Sequence, residues 1–159
     1  MSFVTDSYKV ADIECGSYWQ YIERTLENPE DIWGHVYDNQ LDTHGRYLAC
    51  IVSFNGRDIS EENLKHAFLH FVNRKETKFG HSDFIASTKL AVGAVLNRII
   101  TGSGIKYDLF NPALGDFLLH RYAKDENVLY LIFESLDTHE SLNNLKSLLK
   151  GNIIRLVPK

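Results

Sequence analysis

The segment spanning residues 107–122 predicts a strand that passes directly into a helix at Asn111-Pro112. Proline suits the first helical position, because its φ is already set and its missing N–H is not needed there. Asn111 is then the predicted N-cap. The helix that follows carries an apolar face made of Leu114, Phe117, Leu118 and Tyr122. The fold must therefore contain a packed strand-to-helix junction.

The composition is that of an ordinary folded domain. The chain has 159 residues, 44% of them hydrophobic, and a net charge of −4. The hydrophobic fraction is large enough for a sizeable core, whereas the acidic balance disfavours broad binding to nucleic acid or membrane surfaces. The first residues lack a signal-peptide pattern, and no apolar run is long enough to cross a membrane. We therefore expect a cytoplasmic protein without a membrane partner.

The middle of the chain predicts three helices, at residues 42–54, 60–73 and 82–97, followed by a β-hairpin at 98–110. This order is typical of a winged helix. We expect a mainly α fold with N-terminal helices in residues 1–41, a winged-helix domain in 42–110 and a C-terminal helical extension in 111–159. The extension carries two further helices and a short terminal strand. The first helix is marked by Leu129, Ile132, Phe133 and Leu136, the second by Leu142, Leu145 and Leu149, and the strand by Ile153 to Val157.

Capping residues set the predicted boundaries. Asn55-Gly56 ends the first of the three helices, Ser60 caps the second, and Ser82 or Asp83 starts the third. A polar loop is expected from Asn73 to Lys78. The third helix is expected to bury a face of Phe84, Thr88, Ala91, Val92, Val95, Leu96 and Ile99, and the hairpin turns at Gly102-Ser103-Gly104.

Two segments carry a resemblance to a known family. Residues 26–41 read Leu-Glu-Asn-Pro-Glu-Asp-Ile-Trp-Gly-His-Val-Tyr-Asp-Asn-Gln-Leu, and residues 111–118 read Asn-Pro-Ala-Leu-Gly-Asp-Phe-Leu. They resemble two motifs of prokaryotic STAND NTPases, the third novel-STAND group, in which one motif ends the ATPase core and the other follows the wing. The matching positions are Asn28, Pro29, Trp33, Asn111, Pro112, Asp116 and Phe117.

The resemblance implies lid-like N-terminal helices and a non-catalytic regulatory module, in a class of signalling NTPases that often acts in bacterial antiviral defence. The implied partner is the ATPase domain of the same parent protein, or another protein. The sequence has no phosphate-binding Gly-x-x-x-x-Gly-Lys-[Ser/Thr] loop, so we expect either a fragment or a free-standing remnant, with no enzyme activity and no cofactor. The resemblance implies that Phe110, or its neighbour Asn111, stands where related ATPases carry a nucleotide-sensing histidine.

Two other functions stay open. A winged-helix DNA-binding protein would use the basic residues near the third helix, which are Arg74, Lys75, Lys78, Lys89 and Arg98. That helix offers mainly Ser82, Asp83, Ser87, Lys89 and Asn97 to a partner, which is little base-reading chemistry. The third possibility is a small acidic immunity protein that neutralises a toxin.

No catalytic or metal site is predicted. His66 and His70 lie one helical turn apart, but we expect both to be solvated, and no third ligand is evident. Cys50 lies in an apolar run and is expected in the core, while Cys15 has no identifiable base to activate it.

Overall fold

The computed structural model of the protein describes residues 33–75 and 83–155. Contacts group the chain into two units, Met1–Gln40 and Leu41–Lys159. The described part of the first unit holds the end of a helix and a π-helical turn, Val36–Gln40, in which Tyr37 is buried. Asn28, Pro29 and Cys15 lie outside the described residues. The predicted division of the second unit near residue 110 stays a prediction.

Helix α1 (Thr43–Asn55) is the centre of the second unit. The Asp42 carboxylate caps it by accepting a 2.7 Å hydrogen bond from Gly45 N, and Gly56 ends it in the left-handed conformation. Every later helix and strand β3 pack against α1. Burial on almost all sides explains the run from Tyr47 to Phe54, which is apolar except for Ser53, and it places Cys50 in the core as predicted.

Strand β1 (Ile59–Ser60) and helix α2 (Glu61–Lys75) follow. The Ser60 hydroxyl accepts a hydrogen bond from Asn63 N, so the predicted cap is confirmed. The helix continues to Lys75, because Phe71 and Val72 in its last turns are buried, and the predicted loop therefore starts later than Asn73. The two-residue strand β1 was not predicted. Its backbone hydrogen-bond partners belong to a strand that lies far along the sequence.

Helix α3 (Phe84–Ala91) is six residues shorter at its C-terminal end than the predicted third helix. Asp83 caps its start, and Phe84, Thr88 and Ala91 are buried as expected. The helix ends because Val92 is extended and Gly93 has a φ of 82°, a conformation that favours glycine. The prediction was therefore wrong for Val92, Val95, Leu96 and Ile99, which lie beyond the helix.

Strands β2 (Leu96–Thr101) and β3 (Gly104–Leu109) form the predicted hairpin, which starts two residues early. The antiparallel sheet has the order β1-β3-β2. Ile59 pairs with Tyr107, and Tyr107 pairs with Arg98. These three side chains therefore lie in one row on one face of the sheet.

Helices α4 (Pro112–Tyr122), α5 (Glu126–Leu136) and α6 (His139–Lys150) complete the unit. The leucines that mark α6 in the sequence do not form its buried face. Leu142 is 52% exposed and Leu149 is also exposed, whereas Ser141 and Leu148 are buried. The reason is local: Ser141 and Thr138 form a capping box at the buried end of the helix.

Residues 153–155 form no strand, and residues 156–159 lie outside the description. The second unit is thus mainly helical, with a small three-stranded sheet. Across residues 33–75 and 83–155, every helix is too short or too polar to reach across a bilayer.

Candidate functional site

A cleft of about 320 Å³ lies between α3, the hairpin and the first turn of α2. We call it the α3–hairpin cleft. It combines charged, aromatic and aliphatic side chains from three elements: Glu61, Ile85, Thr88, Lys89, Val92, Arg98 and Tyr107. Asp83 caps the start of α3 by accepting hydrogen bonds from Ile85 N and Ala86 N.

Tyr107 forms the floor of the cleft. Its side chain is 2% exposed, and its hydroxyl donates a 3.0 Å hydrogen bond to Glu61 Oε1. Burial raises the pKa of Tyr107 above its ordinary value of 10.0, and the hydrogen bond and charge of Glu61 raise it further, while the neighbouring Arg98 opposes the rise. The phenol is therefore neutral at physiological pH.

Among the residues that the structure describes, the cleft carries one unbalanced positive charge, because the cations of Lys89 and Arg98 face one carboxylate, that of Glu61. Lys89 Nζ forms neither an ion pair nor a hydrogen bond within the described part of the chain. The Thr88 hydroxyl is occupied, since it donates a 2.8 Å hydrogen bond to Phe84 O. Ammonium and guanidinium groups at the mouth of a half-enclosed cleft can bind an anionic group.

Only two of the five predicted basic residues meet in this cleft. Arg74 lies near the other end of α2, about 20 Å along the helix from Glu61, and forms a 2.9 Å ion pair with Glu134 of α5. Lys75 is the last, exposed residue of α2, and Lys78 lies outside the described residues. The five residues therefore do not form one continuous basic surface within the described structure.

Most of the residues that the sequence predicted to face a partner do not do so from α3 in the structure. Ser87 is buried, Asp83 is engaged as the helix cap, Asn97 belongs to β2, and Ser82 is outside the described residues. Ile85 and Leu90 are instead exposed on α3, by 69% and 68%. The shortened helix explains the difference, because Asn97 cannot continue a helix that ends at Ala91.

The motif residues after the hairpin have structural roles. Asn111 Oδ1 accepts a 2.9 Å hydrogen bond from Ala113 N, and Pro112 occupies the first turn of α4, as predicted. Phe117 is buried with Arg121 over its ring, whereas Asp116 is exposed. Trp33, in the first unit, is half-buried, and Phe110 is exposed.

The histidines of α2 differ from the expectation. His66 is exposed, but His70 is half-buried and its Nδ1 lies 3.0 Å from Ser135 Oγ on α5. Ser135 Oγ is also 2.7 Å from Leu131 O, which can only accept, so the serine donates there and His70 donates to the serine. This polarity is the reverse of a serine–histidine nucleophile. No group of three metal-ligating side chains occurs in the described ranges.

A larger cleft of about 480 Å³ lies on the other face of the sheet, beside the end of α1. Its carboxylates already have partners. Asp58 forms a 2.7 Å ion pair with Lys106, and Asp108 Oδ1 accepts a hydrogen bond from Leu109 N. The α3–hairpin cleft is therefore the better candidate, because its charge is not neutralised by the described residues.

Lys89 and Arg98 are among the basic residues that the sequence predicted near the third helix, whereas no sequence pattern indicated Glu61 and Tyr107 as their neighbours. The hairpin prediction placed Tyr107 in a strand, and nothing linked it to the start of α2. Their contact depends on the unpredicted strand β1, which places the start of α2 beside β3. Comparison with protein-family models, with curated proteins and with solved structures finds no significant match.

Proposed function

We propose that this chain is a non-catalytic regulatory and protein-interaction module with a winged-helix domain, similar to the one that follows the ATPase core in STAND NTPases. The order of elements over residues 43–109 supports the winged helix: helix, strand, helix, helix, strand, strand. Strand β1, between α1 and α2, adds to the hairpin as a winged helix requires. The segments at Asn28-Pro29 and Asn111-Pro112 support the family assignment. The proposal includes a bacterial cytoplasmic setting and a role in defence signalling.

The main support for a protein partner is the exposed apolar surface of α3 and the hairpin. Ile85 and Leu90 are more than two-thirds exposed there, and Ile100 of β2 is 75% exposed. Aliphatic side chains contribute no hydrogen bonds to base edges or phosphates, whereas they are stabilised by burial against another protein. The helix that would enter the major groove of DNA is therefore better suited to a protein surface.

Photocrosslinking tests this partner class directly. p-Benzoylphenylalanine is placed at Leu90 in the bacterium that encodes the gene, with Asn143 on the exposed side of α6 as the matched control. We expect the Leu90 adduct to contain a P-loop NTPase domain, in the same polypeptide or in a separate one. Adducts at Leu90 that match those at Asn143, or that contain only nucleic acid, would contradict the proposal.

DNA binding remains the second candidate, because Lys89 and Arg98 converge beside α3. Two cations facing one carboxylate predict a weak, strongly salt-dependent interaction. Fluorescence anisotropy with a labelled 20-base-pair duplex at 50 mM salt tests it. Saturable binding that is lost in a Lys89→Glu/Arg98→Glu variant would favour DNA over a protein partner.

A further inference from the structure

The charge and shape of the α3–hairpin cleft indicate which chemical group it would bind. Lys89 and Arg98 carry two positive charges and Glu61 one negative charge, so the described residues leave one positive charge to be balanced at the mouth. A single carboxylate balances that charge, whereas a phosphate dianion would overcompensate it.

The walls of the cleft are aliphatic. Ile85 and Val92 line it on the α3 side. Ile100 follows Arg98 by two residues in β2 and so lies on the same face of the sheet, further toward the hairpin turn. An anion bound between Lys89 and Arg98 would therefore have aliphatic side chains on either side of it.

Nucleic acid fits this arrangement poorly. Among the described residues that line the cleft, the aromatic ring is that of Tyr107, which is buried and offers no face on which a base could stack. Successive phosphates would need further cations along the groove, but Arg74 is paired with Glu134 toward the other end of α2. The charge and the aliphatic walls together match a peptide.

We propose that the α3–hairpin cleft binds the carboxylate of one Asp or Glu in a partner protein segment that has aliphatic residues beside it. Lys89 and Arg98 bind the carboxylate, and Ile85 and Ile100 contact its neighbours. The inference rests on the proposed function as a protein-interaction module and names the chemistry of the partner.

Peptide selection tests the inference without knowledge of the partner. A phage-displayed library of random 12-residue peptides is selected on the immobilised protein, with counter-selection on Lys89→Glu/Arg98→Glu. We expect the enriched peptides to share an Asp or Glu next to Leu, Ile or Val. Replacing that acid by Asn or Gln should weaken binding of the synthetic peptide about tenfold, the scale of a charge-assisted hydrogen bond.

Matched variants localise the effect. Lys89→Gln should weaken the best peptide about tenfold and Lys89→Arg should restore binding, while Lys75→Gln, with the same charge change at the exposed end of α2, should leave it unchanged. Thermal melts by circular dichroism establish that the variants fold. Both lysines are exposed, so we expect no change in melting temperature.

The outcomes separate the two proposals. Peptides that bind without an acid, or that bind Lys89→Gln equally well, overturn the carboxylate site but leave a protein-interaction module. Failure to enrich any peptide above the counter-selected background also overturns the carboxylate site. If the 20-base-pair duplex binds instead and Lys89→Gln weakens it, both proposals fail.

Discussion

Tyr107 Oη donates a 3.0 Å hydrogen bond to Glu61 Oε1, which joins the middle of β3 to the first turn of α2. The Tyr107 side chain is buried, so this bond satisfies a hydroxyl that has little access to water. It also fixes the Glu61 carboxylate at one side of the α3–hairpin cleft. One contact thus contributes both to the packing of the sheet and to the charge of the candidate site.

Replacing Tyr107 by Phe should lower the free energy of unfolding by about 1 kcal/mol, because the ring keeps its packing while Glu61 loses its donor. Urea denaturation followed by circular dichroism measures the change. Glu61→Gln retains an acceptor oxygen and should cost less than Glu61→Ala. Equal losses in these two variants would show that the hydrogen bond does not matter.

The same contact predicts a dependence of stability on alkaline pH. Because the pKa of Tyr107 is raised in the folded protein, the neutral phenol favours the folded state. This contribution is fully present below pH 10 and is lost as pH rises through the higher, folded pKa. The difference in unfolding free energy between the wild type and Tyr107→Phe should therefore be constant from pH 7 to 9 and shrink above pH 10. A difference that stays constant up to pH 11 would contradict this assignment.

Thr138→Val should destabilise the second unit by about 2 kcal/mol. The Thr138 hydroxyl donates a 2.6 Å hydrogen bond to Asn55 Oδ1 and accepts one from Ser141 N, and all three residues are buried. Valine keeps the shape but leaves an acceptor and a donor without partners. Thr43→Val, at the exposed start of α1, is the control and should change stability by less than about 0.5 kcal/mol. Thermal unfolding of both variants makes the comparison.

Gly56→Ala should cost more stability than Gly93→Ala. Both glycines have a positive φ, 80° and 82°, so each substitution carries a backbone strain of about 1 kcal/mol. A Cβ at Gly56 would also lie 2.8 Å from Asn144 Cγ, and Asn144 Nδ2 donates to Phe54 O. A Cβ at Gly93 meets nothing within 4 Å. We expect Gly56→Ala to lose about 2 kcal/mol in chemical denaturation. Similar losses at both sites would rule out the contact with Asn144 as the cause.

Local signals predicted the elements whose determinants are close in sequence. The Asn111-Pro112 start of α4, the Gly56 end of α1 and the turn at Gly102-Ser103 follow from backbone preferences and short-range hydrogen bonds, and all three occur in the structure. The helical spacing of Leu129, Ile132 and Leu136 likewise predicted α5, and all three residues are buried.

The same signals failed where tertiary contacts outweighed periodicity. Val95 and Leu96 continue the helical spacing of α3, but Gly93 reverses the chain and both residues are buried outside the helix. In α6, the leucine spacing correctly predicted a helix, but Leu142 and Leu149 are exposed, and the hydrogen-bonded pair Thr138 and Ser141 is buried in their place. A hydrogen-bonded polar residue can occupy a buried position that an apolar pattern assigns to leucine.

The sequence alone determined a mainly helical chain with a hairpin after its third central helix, because these features depend on neighbouring residues. Only the tertiary structure brought Glu61, Lys89, Arg98 and Tyr107 into one cleft. Their meeting requires the pairing of Ile59 with Tyr107 across 48 positions of the chain, and a two-residue strand has no recognisable pattern until its partner is in place. The candidate site therefore forms only when strands that are distant in sequence pair.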